Sequence, residues 1–199
     1  MYERKDAFYK KAKREGYRAR SAYKLIELNR EWRVLRPGMR IVDLGSWPGG
    51  WVQVAAELIG QGGKVVGIDL AALEPLPSSP QVTLLQGDAT DPIQQEKILA
   101  TLGGPADVLL SDMAPKLSGI KEVDEARSME LCLAALRCAS ILLRPGGALL
   151  VKVFMGSEYK SFLTELRTCF TTVKATKPES SRKGSAETYV FAVGMKGNS

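Results

Sequence analysis

Ile41-Val42-Asp43-Leu44-Gly45-Ser46-Trp47-Pro48-Gly49-Gly50-Trp51 is the stretch whose reading decides the fold. It opens as a buried strand, Met39 to Leu44, rich in Ile and Val, and the strand stops at Gly45. Beyond Pro48-Gly49-Gly50, the spacing of Trp51, Val52, Val54, Ala55, Ala56, Leu58 and Ile59 predicts a helix. A strand, a glycine-rich turn and a helix N-terminus in that order let a ligand approach backbone N–H groups closely. The next strand, Lys64 to Asp69, ends in a carboxylate, which suits the ribose hydroxyls of a nucleoside.

The glycines at 45, 49 and 50 do not spell the G-x-G-x-x-G dinucleotide fingerprint, and no Gly-Lys-Ser/Thr follows to make a phosphate loop. The spacing fits the nucleoside-binding turn of S-adenosylmethionine enzymes better. An ordinary strand-to-helix turn that needs glycine for its backbone is the plainer alternative.

Composition sets the frame. The 199 residues suit a single domain, 1–199, with a substantial core, and 45% hydrophobic and 25% charged residues are ordinary globular values. No run approaches the length of a membrane span, and Met1-Tyr2-Glu3-Arg4-Lys5 lacks the apolar region of a secretory signal. Cys132, Cys138 and Cys169 have neither metal-like nor redox spacing and read as reduced thiols in a cytoplasmic protein. The absence of histidine excludes Ser-His-Asp hydrolases, Cys-His proteases and His-ligated metal sites. The net charge is +6, and residues 1–40 carry thirteen Lys/Arg against five Asp/Glu, a net of +8. The positive excess is therefore N-terminal, as a surface for a phosphate backbone would be, although a solvated helix face gives the same count.

Helices are expected at 4–15 and 21–33, broken at Gly16, with Ser21 as the N-cap of the second. Lys11 and Arg14 decorate the first, and Arg18 and Arg20 lie in the link with Tyr17, a combination suited to phosphate contact and base stacking. This basic segment, 1–38, is expected to form part of an RNA-binding surface. Lys24 stands among apolar neighbours, placed either to snorkel or to enter a site. Strands are expected at 39–44, 64–69, 82–86, 106–111 and 147–154, with helices near 50–60, 92–101, 123–143 and 158–169. Segments 171–176 and 186–194 then follow one another as an antiparallel pair at one edge. The result is an α/β class: a mostly parallel, Rossmann-like seven-stranded sheet whose last strand is antiparallel, with helices on both faces.

Ligands of open α/β sheets gather at the carboxyl ends of the strands. Those ends carry Gly45, Asp69, Asp88, Asp112 and Lys152. Asp69 suits a ribose, Asp88 an adenine amino group, and Asp112 a reacting cationic centre; capping is the commoner use of any one aspartate. Lys152 interrupts the apolar run Ala148 to Phe154, where an unpaired lysine should not be buried. It reads either as an edge residue with its amine in water or as a desolvated amine whose pKa is lowered by burial and a second cation, poised as a base.

At these residues the chain resembles the FtsJ/RlmE family of RNA ribose 2′-O-methyltransferases. The resemblance runs from about Lys5 to Gly194 and rests on Gly16 to Leu25, Asp43 to Trp51, Ser111 to Gly119, Leu150 to Phe154, and Lys177 to Arg182 with Glu187-Thr188-Tyr189. It implies a catalytic Lys24, Asp112, Lys152, Glu187 tetrad, and S-adenosylmethionine as cofactor near Gly45, Gly49, Gly50, Trp51, Asp69, Asp88 and Asp112. One departure is Trp47, since the family usually has small residues at both positions before Pro48. On this reading Lys152 removes the proton of a ribose 2′-hydroxyl, with Lys24 depressing its pKa by like charge. Asp112 orients the lysines, Glu187 positions the hydroxyl or Lys24, and no metal is needed because the methyl donor is already activated. The lysines acting only to orient the hydroxyl is an equal alternative. The resemblance points to a uridine ribose of large-subunit (23S) rRNA within the 50S particle as substrate, with the tRNA anticodon loop as runner-up. A catalytically silent RNA-binding relative would not require Lys152 in a strand, and a small-molecule O-methyltransferase would leave the +8 N-terminus without a purpose.

Overall fold

The computed structural model describes residues 7–76, 78–116, 118–181 and 184–197. Residues 4–6 of the expected first helix lie outside that set, as do Lys5, Leu117 and Arg182 of the family motifs. The elements in chain order are α1 (Ala7–Glu15), α2 (Ala22–Trp32), β1 (Arg40–Leu44), α3 (Gly50–Ile59), β2 (Lys64–Asp69), β3 (Val82–Gln86), α4 (Pro92–Leu102), β4 (Ala106–Ser111), α5 (Lys121–Leu142), β5 (Leu143–Phe154), α6 (Tyr159–Cys169), β6 (Phe170–Thr176) and β7 (Glu187–Met195). Among the described residues no helix is long and apolar enough to cross a membrane.

Seven strands form one sheet in the order β3-β2-β1-β4-β5-β7-β6. The ladders between β3, β2, β1, β4 and β5 are parallel, and β7 runs antiparallel to both of its neighbours. Buried strands of a parallel sheet need apolar residues on both faces, which is why the central strands read as nearly continuous apolar runs. Val42, Leu44, Leu109 and Leu149 face a core closed by Ile98, Leu102, Leu136, Phe162 and Leu166 from α4, α5 and α6. Ile41, Val108, Leu110, Leu150 and Tyr189 face the opposite core, closed by Leu25 and Leu28 of α2 and by Val52, Ala55 and Ile59 of α3.

One expectation is refined and two change. The strand at 187–195 pairs antiparallel with β6 as anticipated, yet it is inserted between β5 and β6, and β6 alone is the edge. The crossover through α6 returns β6 parallel to β5 but one strand away. β7 fills the gap and gains ladder partners on both sides. Second, β5 starts at Leu143, ahead of the expected 147, because Leu143 already pairs with Ala106 before a register shift beside Val108. Third, Ser21 does not cap α2 with its side chain. It already has helical angles at the end of an Ala19-to-Ser21 turn, and its carbonyl accepts the Trp51 indole N–H at 2.9 Å. Gly16 does end α1: with φ +81 it takes the left-handed conformation, and the Tyr17 N–H closes back onto the Ala12 carbonyl.

Phe162 is 1% exposed and anchors α6 to the sheet. Phe162→Ala is expected to lower unfolding free energy by about 3–5 kcal/mol, read as a shifted urea midpoint at unchanged slope.

Candidate active site

The carboxyl ends of the parallel strands open into a cavity of about 730 Å³ whose wall includes Gly45, Trp47, Asp69, Asp88, Asp112 and Met113. That volume is in the range of small-molecule sites. Gly45, at φ +67, turns the chain off β1, and a Cβ there would lie 2.3 Å from Met113 Cγ, so backbone and wall meet without a side chain between them. The Asp69 carboxylate accepts the Trp47 amide at 2.9 Å and the Ala71 amide at 2.8 Å, which fixes the turn after β1 against the end of β2. Asp88 Oδ1 accepts both the Thr90 amide and hydroxyl at 2.8 Å, and these two bonds hold its carboxyl below the usual carboxylate range. These bonds leave acceptor positions on both aspartates, because an ionised carboxylate has about four. The indole of Trp47 is 60% exposed on the rim.

Gly49, Gly50 and Trp51 start α3 but do not line this cavity. Gly49 packs under the Arg18 side chain and Gly50 against Ala19, where added Cβ atoms would come within 3.1 Å of the Arg18 guanidinium and 3.0 Å of Ala19 Cβ. Trp51 is 3% exposed, bonded to Ser21 and 5.8 Å from the Tyr189 ring. The Trp51 indole is therefore turned away from the cavity. It locks α2 onto α3. The first turn of α3 has no side-chain cap.

Beside the cavity the four expected polar residues come together as two buried ion pairs. Lys152 Nζ lies 3.1 Å from Asp112 Oδ1 and donates to the Asp112 carbonyl at 2.6 Å. Lys24 Nζ lies 2.6 Å from Glu187 Oε1, with side chains only 10% and 11% exposed. β4 and β5 are neighbours, so Asp112 just past β4 meets Lys152; β7 lies on the far side of β5 and presents Glu187 to α2. The expectation that Asp112 orients both lysines narrows to Lys152, because Glu187 takes Lys24. Burial pushes the Glu187 carboxyl up, but the Lys24 charge and hydrogen bond outweigh it and hold the group below its usual value.

Two residues of the site went unassigned in the sequence. Tyr189 is the cross-strand partner of Lys152, and its hydroxyl donates to Asp112 Oδ1 at 2.6 Å while Lys24 Nζ sits 5.6 Å from its ring centroid. Burial, then the Asp112 and Glu187 charges, push its hydroxyl well above the ordinary value, so it stays a donor. Its position two residues after Glu187, hence on the same face of the strand, was the available signal. Asp43 is 1% exposed, and its Oδ2 has no partner among the described residues, like the hydroxyl of buried Ser46 nearby in sequence. Burial, then Asp112 and Asp69, raise the Asp43 carboxyl well above its ordinary value.

The four expected RNA contacts divide. Lys11 and Arg14 are exposed on α1, Lys11 with its amine 4.5 Å from the Tyr23 ring centroid. Arg18 instead donates to the Glu74 and Pro75 carbonyls at 2.6 Å, and Arg20 to the Ser180 carbonyl at 2.5 Å. Both guanidiniums brace loops of the rim. The turn between them is clipped to α3 by Gln53, which accepts from the Arg18 amide and donates to the Gly16 carbonyl. Cys132 and Cys138 are core thiols; burial pushes Cys132 up to about 12.

The parallel sheet with one inserted antiparallel strand, a glycine turn and a carboxylate-rimmed cavity define a nucleoside-binding α/β methyltransferase fold. Residues 17–195 match the model of the FtsJ-like methyltransferase family, and the chain belongs to that family. It is 54% identical over 189 residues to the ribosomal RNA large subunit methyltransferase E of Methanothrix thermoacetophila, covering 95% of this chain and 72% of that one. A crystal structure of a Plasmodium falciparum protein described as a ribosomal RNA methyltransferase superposes with a TM-score of 0.78 at 31% identity, over 92% of this chain and 100% of that one. Aeropyrum pernix fibrillarin, crystallised with natively bound S-adenosylmethionine, shares the fold at a TM-score of 0.64 and 19% identity, over 87% of this chain and 76% of that one.

Two opposite pH dependences follow from the buried carboxyls. Glu187 titrates lower when folded, so its stabilisation is present above the ordinary glutamate value of 4.5 and is lost as pH falls through the folded value. Asp43 titrates higher when folded, so stability is lost as pH rises from 3.8 towards its folded value. Glu187→Gln is expected to shallow the acid limb of a Tm-against-pH curve, and Asp43→Asn to remove the descending limb above 3.8. Unchanged curves would contradict the two assignments.

Proposed function

We propose that this FtsJ-like methyltransferase transfers a methyl group from S-adenosylmethionine to the 2′-hydroxyl of a uridine ribose in 23S rRNA, within the 50S particle in the cytoplasm. The observation that carries the reading is the pair of buried lysine–carboxylate contacts beside a nucleoside-sized cavity. The name of the relative at 54% identity supports ribosomal RNA as the substrate.

The cavity residues fit the cofactor. Asp69 stands where a ribose diol would be accepted, Asp88 where an adenine amino group would donate, and Asp112 on the side of the positive centre. Gly45 gives close backbone approach. When bound, S-adenosylmethionine supplies an already activated methyl group.

The chain's own residues handle the acceptor. A ribose hydroxyl is a weak nucleophile and must be aligned and relieved of its proton. Lys152 Nζ, fixed by Asp112, is the group we assign to that proton. The Lys24 ammonium, held by Glu187 over the Tyr189 ring, positions the hydroxyl. Tyr189 keeps Asp112 aimed by donating to its carboxylate. The exposed cations Lys11 and Arg14 attract the RNA backbone towards this rim.

The test is methyl transfer from labelled S-adenosylmethionine to 50S particles, protein-free 23S rRNA and total tRNA, with wild type and Lys152→Ala. Label on 50S particles is expected, reduced at least about 100-fold in the variant while cofactor binding persists. Label on tRNA alone would overturn the substrate and keep the chemistry. Undiminished transfer by the variant would overturn the role of Lys152.

A further inference from the structure

A second cavity, of about 300 Å³, lies on the same sheet face as α2, towards the opposite end of the strands from the rim. Its wall includes Trp32, Arg33, Arg36, Arg144, Lys174 and Phe191. The strand register gives its distance from the reacting end. Ala148, in its wall, precedes Lys152 by four residues of one strand, about 13 Å at ordinary strand rise. Trp32, at the end of α2, stacks on Phe191 with ring centroids 5.5 Å apart and planes 11° from parallel, so the groove has an aromatic floor.

Its charge is one-sided. Asp107, a carboxylate in the wall, is already engaged: Oδ1 accepts from Arg144 Nε at 2.6 Å and Oδ2 from the Arg40 amide at 2.8 Å. Arg33, Arg36 and Lys174 are exposed and have no ion pair or side-chain hydrogen bond with any described residue. Three uncompensated cations beside a fourth, around aromatic rings, match an anionic polymer with flat bases. Grooves that track single-stranded nucleic acid combine these two features.

We propose that this groove is a second RNA contact, holding the phosphodiester backbone of a single-stranded segment that flanks the target ribose. The proposal rests on the RNA methyltransferase reading. It adds a distal anchor, a few nucleotides from the catalytic rim, on a surface separate from α1. Binding energy from a remote part of the substrate holds the target in place without taking part in the reaction, so losing it raises KM and leaves kcat.

The experiment compares wild type with an Arg36→Gln/Lys174→Gln double variant in the full chain. A Lys97→Gln/Lys160→Gln variant removes the same charge from helices on the opposite face and serves as control. Methyl transfer and equilibrium binding are measured on protein-free 23S rRNA and on 50S particles over a salt series. The groove variant is expected to raise KM for protein-free rRNA about tenfold with kcat held. Its slope of log affinity against log salt should become shallower by about 1.4, or about 0.7 for each single-strand phosphate that is no longer neutralised. The control variant should do neither. An unchanged KM and slope in the groove variant, with wild-type methyl transfer intact, overturns the proposal and leaves the activity standing. Equal effects in both double variants overturn it as well, since only overall charge would then matter. A loss seen with 50S particles and absent with protein-free rRNA overturns it in favour of an acidic ribosomal protein. Groove-dependent RNA binding without methyl transfer to any RNA would support the groove and overturn the activity.

Discussion

Two ammonium groups are buried at the carboxyl end of this sheet, and an ammonium taken out of water must be neutralised nearby. Lys152 stands inside a strand and cannot withdraw to solvent; Asp112, at the end of the adjacent strand, meets it with both a carboxylate oxygen and a carbonyl. Lys24 arrives from a helix before the sheet and is met by Glu187 from the last strand. Removing one partner of such a pair costs about 3–5 kcal/mol, because the other is left charged and dry. The N-terminal segment, the middle of the sheet and the C-terminal strand are thereby fastened at one point.

The placement of β7 makes that point possible. Pairing with β5 puts Tyr189 opposite Lys152 and Glu187 opposite Phe154. With β7 at the edge and β6 inside, neither would reach the lysines. The loop leading into β7 is held in turn: Arg20 donates to the Ser180 carbonyl, and the Ser180 amide donates to Glu27. Residues of the basic N-terminal segment therefore do two jobs. Arg18 and Arg20 turn their guanidiniums onto backbone carbonyls and build the rim, while Lys11 and Arg14 stay exposed. Across the same face, the groove under Trp32 extends positive surface to the other end of the strands.

The rim also explains why so many polar groups cluster without collapsing the fold. Asp69 and Asp88 spend part of their acceptor capacity on amides of nearby turns, which fixes them, and acceptor positions remain. Asp43 is different: fully buried, with one oxygen unpartnered among the described residues, it strains the folded state as pH rises. Polar groups retained at such a cost belong to a site more often than to a scaffold.

The sequence by itself determined the alternation of strands and helices, the glycine turn at Gly45, the carboxylates at the strand ends and the oddity of Lys152. Each is a local matter of periodicity, backbone freedom, or one residue type in the wrong company. It also carried the family, through ordered motifs spread over most of the chain. Only the tertiary structure decided where β7 inserts, since strand order depends on long-range pairing that no local pattern encodes. The same holds for which lysine meets which carboxylate, and for the turn of the Trp51 indole towards Ser21. Arg18 and Arg20 read as nucleic-acid contacts from composition alone, because a guanidinium suits a phosphate and a carbonyl equally well. Which of the two it meets depends on the chain folded around it, here the loops carrying Glu74, Pro75 and Ser180.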